Sequence, residues 1–537
     1  MKQKNILLLS FILFSFSPLF SQQLNFPLIN DYNNDISRSL YFPRNSFHTA
    51  VKPWLTSEVN KEINIDSVKN QNNYRSNFKR KACNGIFNKV FNESLISLDK
   101  EGLKLLINPV FNFELGNDLN DSSSNKFVNT RGFQVEGSIE NKFSFFTTFY
   151  ENQATFIDYL DNSIKHNIVV PGQGQIKEFK GDGFDYAWAS GYISYTPTKY
   201  VNLQFGHGKN FIGDGYRSLL LSDNAFNYPY FKITTNVWRL KYVNLYAQFQ
   251  DLKTPHAYDL GYKKKYGTFH YLSYAITRRL NVGLFEAIIW KAADSTGYRG
   301  FDVNYLNPII FFRPVEFSLG SPDNALLGLN VSYKIRRSNV IYGQLMIDEF
   351  KIHEVLSDSG WWGNKQAEQI GLKSFDIFGI KNLYFQTEYN IVRPYTYSSR
   401  TSLQNYGHYN EALAHPLGAN FRESVTFLKY NYKRFFAELK FNYAVYGADS
   451  AGVNYGKDIF ESYETHPHEY GNFIGQGIKT KLMYKDFRIS YLVNPVTNLN
   501  ISIGVSDRTE SSSVADKHST FVYFGLRTSL NNFYYDF

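Results

Sequence analysis

From about residue 103 onward, apolar and polar side chains alternate in runs broken by polar turn clusters. Val243, Leu245, Ala247 and Phe249 fall on one face, and Asn244, Tyr246, Gln248 and Gln250 on the other. Leu383, Phe385, Thr387, Tyr389 and Ile391 alternate in the same way with Tyr384, Gln386, Glu388 and Asn390. A period of two places successive side chains on opposite faces of a strand, which is what a wall between lipid and water requires. The pattern returns over 132–149, 192–205, 426–446 and 482–493. Several of these runs are too long for one crossing and predict hairpins, with short turns at 140–142 and 198–200.

The predicted fold is all-β: a transmembrane antiparallel β-barrel of roughly 16–18 strands over 101–537, closed as one monomeric unit. Loops rich in Asn, Asp, Ser and Gly are expected at 117–126, 161–183, 291–300, 355–365, 395–420, 447–475 and 506–519. At the carboxyl end Phe533, Tyr535 and Phe537 alternate, which predicts a final strand of the kind that assembly machinery reads by strand addition.

The first 21 residues have a different layout: Lys2 and Lys4, then an apolar run from Ile6 to Phe20, then Ser21, Gln22 and Gln23. This is a secretory signal, with the mature chain beginning near Gln22. Beyond it, no window approaches the roughly 18 apolar residues that a membrane helix needs. The only cysteine is Cys83, so a lipid-anchored amino terminus is not expected and an internal disulfide is impossible. Residues 22–100 are rich in Asn, carry the basic knot Lys79, Arg80 and Lys81, and alternate poorly. They predict a short, irregular or helical periplasmic segment, with Phe78, Ile86, Val90 and Phe91 on one helical face over 76–95.

Composition fits a barrel. Tyr (41) and Phe (48) are abundant, and lipid-facing strands and interfacial girdles use such side chains. Tyr200, Tyr228, Tyr230 and Trp290, at strand ends, are expected in the girdle. The formal charge of +9 is evenly scattered, so in an exported chain it points to anionic glycans or lipopolysaccharide phosphates as partners and not to nucleic acid. Outer-membrane lipid is the remaining partner. The pairs Gly172/Gly174 and Gly206/Gly208 lack the strand–turn–helix setting of a nucleotide site. His466, His468 and Glu469 do not have the spacing of a closed metal site, and no metal or other cofactor is expected. Ser222 and Ser321 have no nearby His to activate them, so no catalytic residue is assigned and no enzyme is expected. Trp361 and Trp362 lie side by side in an expected surface loop, where they form either a sugar platform or a packed loop tip.

Two glycine-, Asp- and Asn-dense segments flanked by strands carry a resemblance. Residues 206–230 read GHGKNFIGDGYRSLLLSDNAFNYPY, and residues 320–329 read GSPDNALLGL after Asn307, Pro308, Arg313, Pro314 and Glu316. These resemble the glycine turn, Leu-rich run and Asp-Asn-Ala-Leu-Leu-Gly stretch of Wzi-type capsule-assembly barrels. Gln344, Asp348, Glu388, Arg393 and His415 add to the likeness, which spans about residues 100–440. The Asn- and Tyr-rich style and the entry over 92–113 are similar to the Bacteroidota gliding-motility (RemB-like) branch. The glycine turn departs from the tryptophan-rich version of the capsule proteins. The resemblance implies an outer-membrane barrel without catalysis that attaches or organises surface polysaccharide, or that serves gliding motility with motility or secretion-system proteins as partners.

Gly213 and Gly215 permit backbone angles and close approaches closed to other residues, so this turn is expected to fold inward. Asp214, Arg217, Asp223, Asn224, Arg313, Glu316, Asp323 and Asn324 then either form a paired network across the lumen, since buried charges require partners, or face a glycan. A conducting barrel for a small solute or oligosaccharide is the alternative function. The state of the lumen, filled or open, separates the two.

Overall fold

The computed structural model describes residues 23–44, 46–65, 67–68, 84–121, 125–140, 142–253, 261–294, 297–311, 323–336, 338–349, 351–528 and 531–537. The segment 1–21 expected to be a signal, the basic knot at 79–81, Cys83, Arg313 and Glu316 lie outside them.

Among the described residues, eighteen antiparallel strands close into a barrel, each paired with its neighbour in sequence. They are β1 (Leu103–Asp118), β2 (Lys126–Ile139), β3 (Phe143–Thr155), β4 (Gly183–Thr198), β5 (Val201–Gly208), β6 (Tyr228–Val237), β7 (Leu240–Asp251), β8 (Lys263–Ala275) and β9 (Leu280–Lys291). The second half comprises β10 (Asn324–Lys334), β11 (Asn339–Glu349), β12 (Lys365–Phe375), β13 (Leu383–Val392), β14 (Phe421–Tyr432), β15 (Phe435–Ala448), β16 (Ile478–Asn494), β17 (Leu499–Ser512) and β18 (Asp516–Thr528). The seam is β18 on β1, from Phe521 opposite Asp118 to Arg527 opposite Asn112. A short strand, Ile96–Lys100, continues the same edge of β1.

One end of the barrel carries short turns, among them 140–142, 199–200, 238–239 and 433–434. The other carries the long connections, 156–182, 209–227, 292–323, 350–364, 393–420 and 449–477. In outer-membrane barrels the short turns face the periplasm. The loop expected at 506–519 is a strand through Ser512 instead.

Around much of the circumference the outward positions are exposed and apolar: Leu115, Phe205, Ile370, Leu439, Ile503 and Phe524 among them. On β13 the expected faces hold, with Phe385, Tyr389 and Ile391 outward and Tyr384, Gln386, Glu388 and Asn390 buried inside. Ile370 sits at the middle of β12 and is 61% exposed. Ile370→Arg is therefore expected to destabilise the inserted barrel by about 2–4 kcal/mol, the cost of a lipid-facing cation near the midplane; chemical denaturation in bilayers measures it.

On β7 the expected faces are reversed. Val243, Leu245, Ala247 and Phe249 belong to an apolar core inside the lumen. The outer side carries Tyr242, Asn244 and Tyr246, and the connection after β9 folds back over it, with Tyr242 donating to the Pro308 carbonyl and Tyr246 to that of Leu306. Trp290 is buried under Phe301 and Tyr305 of this strap, not placed in a girdle. The strap turns Val303, Leu306 and Ile309 outward, which restores an apolar exterior. Tyr228 and Tyr230 are likewise buried in the lumen core, whereas Tyr200 is exposed at its turn. Trp238 and Phe378, on two separate turns of that rim, are its most exposed aromatic side chains among the described residues.

Helices α1 (Asn30–Leu40) and α2 (Thr56–Glu62) pack Ile36, Leu40 and Val59 with Phe26, Phe47 and Trp54 into a small core inside the short-turn end of the barrel. Glu58 of α2 accepts Lys241 at 2.6 Å, and Arg38 of α1 pairs with Asp376 of a turn. Part of the segment expected ahead of the barrel is thus held within its mouth. Helix α3 (Asn84–Phe91) sits on the rim beside β16, where Asn494 donates to the carbonyls of Lys89 and Glu93. Its Ile86, Phe87 and Val90 are exposed.

The expected terminal strand is absent. The last strand ends at Thr528, and 531–537 form no ladder. The alternation there is real but serves the interior: Phe533 and Tyr535 stack together against Trp188 and Phe156, while Tyr534 and Asp536 turn the other way.

Candidate functional site

Among the described residues, 23–65 and 531–537 enter the lumen from the short-turn end and the connections 209–227 and 393–420 from the other. The connection after β5 organises them. Leu219, Leu220 and Leu221 are fully buried and require an apolar bed, which Val243, Leu245, Phe249, Phe285 and Leu326 on the inner wall supply. Tyr397 and Tyr406 cap the carbonyls of Leu219 and Leu220 at 2.8 and 2.5 Å, which satisfies groups that would otherwise be stranded.

At Gly215 close approach is the operative property, as the backbone angle there is not left-handed. A Cβ at this position would lie 2.4 Å from Glu388 Oε2. The bare backbone lets Tyr216 and Arg217 donate their N–H groups to the two Glu388 oxygens at 2.8 and 3.1 Å.

Asp214, Asp223 and Asn224 of this loop each hold another segment. Asp214 accepts Tyr41 at 2.7 Å and Thr49 at 2.5 Å from the amino-terminal segment, and Asn330 at 3.2 Å from β10. Asp223 accepts the Tyr534 hydroxyl at 2.6 Å and Asn532 Nδ2 at 2.9 Å from the carboxyl tail. Asn224 donates to the Ala412 carbonyl of the 393–420 connection at 3.0 Å.

Arg217 lies at the centre and is 1% exposed. Its Nη2 is 2.8 Å from Glu423 Oε1 and 3.0 Å from Asp536 Oδ2, and its Nε is 3.3 Å from Glu423 Oε2. Lys440 Nζ joins Asp536 at 2.6 Å, giving two cations and two carboxylates. His415 adds no charge. Burial holds its imidazole below the usual histidine value, so Nδ1 accepts Leu417 N–H and Nε2 donates to Glu423 at 2.6 Å.

Burial alone would raise the Asp536 carboxyl, but Arg217 and Lys440 hold it below the ordinary aspartate value. A carboxyl depressed on folding stabilises above its unfolded pKa, and that contribution fades as pH falls through the folded value. Carboxypeptidase release of Phe537 is expected to stay slow between about pH 5 and 7 and to accelerate only below about pH 4. Release already rising between those neutral values would contradict the pairing.

No family model and no curated protein matches the chain. Among solved structures it is similar to Wzi of Escherichia coli, an outer-membrane, carbohydrate-binding β-barrel involved in group 1 capsule assembly. The match covers 94% of this chain and 100% of that one at 13% identity, with a TM-score of 0.54. The Pseudomonas aeruginosa outer-membrane proteins OprD and OpdK match less of it, at TM-scores of 0.41 and 0.42. They share 12% and 10% identity, covering 81% and 79% of this chain and 97% and 98% of theirs. At these identities the likeness is one of fold. With its apolar exterior, that fold places the molecule: it is an outer-membrane β-barrel.

Of the residues singled out in the sequence, Asp214, Arg217, Asp223 and Asn224 come together in the lumen. Asp323 does not join them: it accepts Arg299 at 2.9 Å and Tyr305 at 2.6 Å in the strap. Asn324 donates to the Gln404 carbonyl at 2.8 Å, at the edge of the filled lumen. Glu423, Lys440 and Asp536 escaped notice as partners. Their only sequence signal was polarity on the inward phase of a strand, or, for Asp536, a charge among terminal aromatics.

Trp361 and Trp362 lie at the long-loop end, joined to the 449–477 connection. Both indoles donate to Glu469 Oε1, at 3.0 and 3.2 Å. Trp361 is buried beneath Lys351, whereas the half-buried Trp362 stacks on His466 at 4.5 Å and meets Tyr463 at 5.1 Å. His466 Nε2 is 3.2 Å from Glu469.

Proposed function

We propose that this protein is a filled, non-conducting outer-membrane barrel that attaches and organises anionic surface polysaccharide through its long loops, without covalent chemistry. The observation that carries the reading is the Arg217 cluster. One guanidinium ties a loop to the tail and to the β14 wall, and its neighbours Asp214 and Asp223 secure the amino-terminal segment and the tail. Four interlocked segments around an apolar lumen core suit a barrel that holds something at its surface better than one that passes solute. The fold likeness to a carbohydrate-binding barrel supports the same reading.

The surface formed by Trp362, Tyr463 and His466 is the proposed glycan contact, since flat aromatic faces stack on sugar rings. Trp362→Ala is expected to weaken binding of the purified barrel to cell-surface polysaccharide roughly tenfold, the loss of one aromatic anchor. Unchanged affinity would move the contact elsewhere. The gliding role implied by the second resemblance has no support in these likenesses. A deletion strain scored for cell-associated polysaccharide, colony spreading and bilayer conductance of the purified protein tests the whole reading. Loss of polysaccharide with silent bilayers is expected, whereas loss of spreading alone would give the barrel to motility, and conductance would give it to solute passage.

A further inference from the structure

In the short-turn half of the lumen a cavity of about 50 Å³ lies between α1, the inward loop and strands β12 to β14. That space holds roughly three to five water-sized groups. It admits the oxygens of one phosphate or carboxylate group and is too small for a sugar ring.

Its lining is cationic. Lys52, Lys373 and Lys429 border it, with amide and hydroxyl groups from Asn30, Asn34 and Ser37 of α1. Lys429 is neutralised by Glu438 at 2.5 Å. Among the described residues, Lys52 and Lys373 form no ion pair. The Lys52 ammonium sits 4.6 Å from the Phe211 ring centroid, and that of Lys373 reaches only the Tyr41 hydroxyl, at 3.4 Å. Asp223 is the one carboxylate in the lining, and both of its oxygens are taken by Tyr534 and Asn532. Asp214 lies behind Tyr41 and is occupied by Tyr41, Thr49 and Asn330. These acids accept from neutral donors and keep their charge, but none lies within ion-pair distance of Lys52 or Lys373, so two enclosed ammonium groups border one cavity without a close counter-charge among the described residues. Burial accordingly pushes Lys52 below its ordinary value, against the pull of Asp214, Asp223 and Glu388.

We propose that this cavity is a site for one oxyanion of the phosphate or carboxylate class, held by Lys52 and Lys373. The assignment is independent of the glycan contact at the long loops. The oxyanion has two sources, a phosphate or the carboxylate of an acidic sugar, and the test separates them.

The full chain in detergent is titrated calorimetrically at constant ionic strength with inorganic phosphate and, separately, with glucuronate. One saturable site is expected, weakened at least tenfold by Lys52→Gln and by Lys373→Gln and unchanged by Lys485→Gln on the exterior. If the lumen variants fail to fold, amine-labelling mass spectrometry of the unaltered protein replaces them, with the anion slowing modification of Lys52 and Lys373 but not of Lys485. Binding of phosphate alone, glucuronate alone or both identifies the source. No saturable binding of either anion, or labelling that neither slows, overturns the site.

Discussion

Replacing Arg217 by methionine is expected to lower the stability of the barrel by about 3–5 kcal/mol, the cost of stripping the partner from buried charges. Glu423 and Asp536 are both essentially inaccessible, and each has a carboxylate oxygen within 3.0 Å of the guanidinium. Methionine matches much of the stem but leaves Glu423 with only Asn390, Asn442 and neutral His415 as donors. Lysine in place of Arg217 is expected to fall between, since a point charge cannot reproduce a fork that spans two carboxylates. Adding Glu423→Gln to the methionine variant removes one stranded charge and is expected to return part of the loss, a coupling that independent sites do not show. The midpoint of urea unfolding in detergent, followed by tryptophan fluorescence, measures all four proteins. A methionine variant within about 0.5 kcal/mol of the parent would mean that the cluster is wet and that its charges are screened.

How far the sequence disclosed this arrangement depends on which physical question is asked of it. Alternation at 383–391 and at 243–250 announced strands equally well, and both are strands. Period two states that faces differ, not which face meets lipid. On β13 the polar phase turns inward to meet Arg217 through Glu388, whereas on β7 the apolar phase turns inward to receive Leu219 to Leu221. A remote segment makes that choice, and the strand itself carries no mark of it. Trp290 illustrates the same limit, because it looks interfacial until the strap that buries it is in place. The inward fold of 209–227 was legible from its glycines and its acid–base content. The membership of its network was not: Glu423, Lys440 and Asp536 lie more than 200 residues further along the chain. Asp323 was grouped with that network because it shares a motif-dense style, yet Arg299, only 24 residues upstream, captured it first.

Removing residues 531–537 is expected to leave an inserted barrel whose amino-terminal segment comes loose. The seam ladder runs only from Phe521 to Arg527 on β18, so the wall is complete without the tail. Within the lumen, the tail binds Asp223 through Tyr534 and the Arg217–Lys440 pair through Asp536. It also holds the start of α1, where Asn532 N donates to the Leu28 carbonyl at 3.1 Å and Asn30 N donates to Asn532 Oδ1 at 2.9 Å. At about 1 kcal/mol each, losing those two bonds lowers the cost of opening the 23–65 segment by about 2 kcal/mol. Proteolysis of that segment should then run roughly 30-fold faster. Bilayers are expected to stay silent, because the core around Leu219 to Leu221 and Tyr406 is built by loops from the opposite end. The truncated protein should still fractionate with the outer membrane and keep its heat-dependent gel shift. Failure to insert would return the terminal aromatics to the role their alternation first suggested, an assembly strand, and would make their place in the lumen secondary to it.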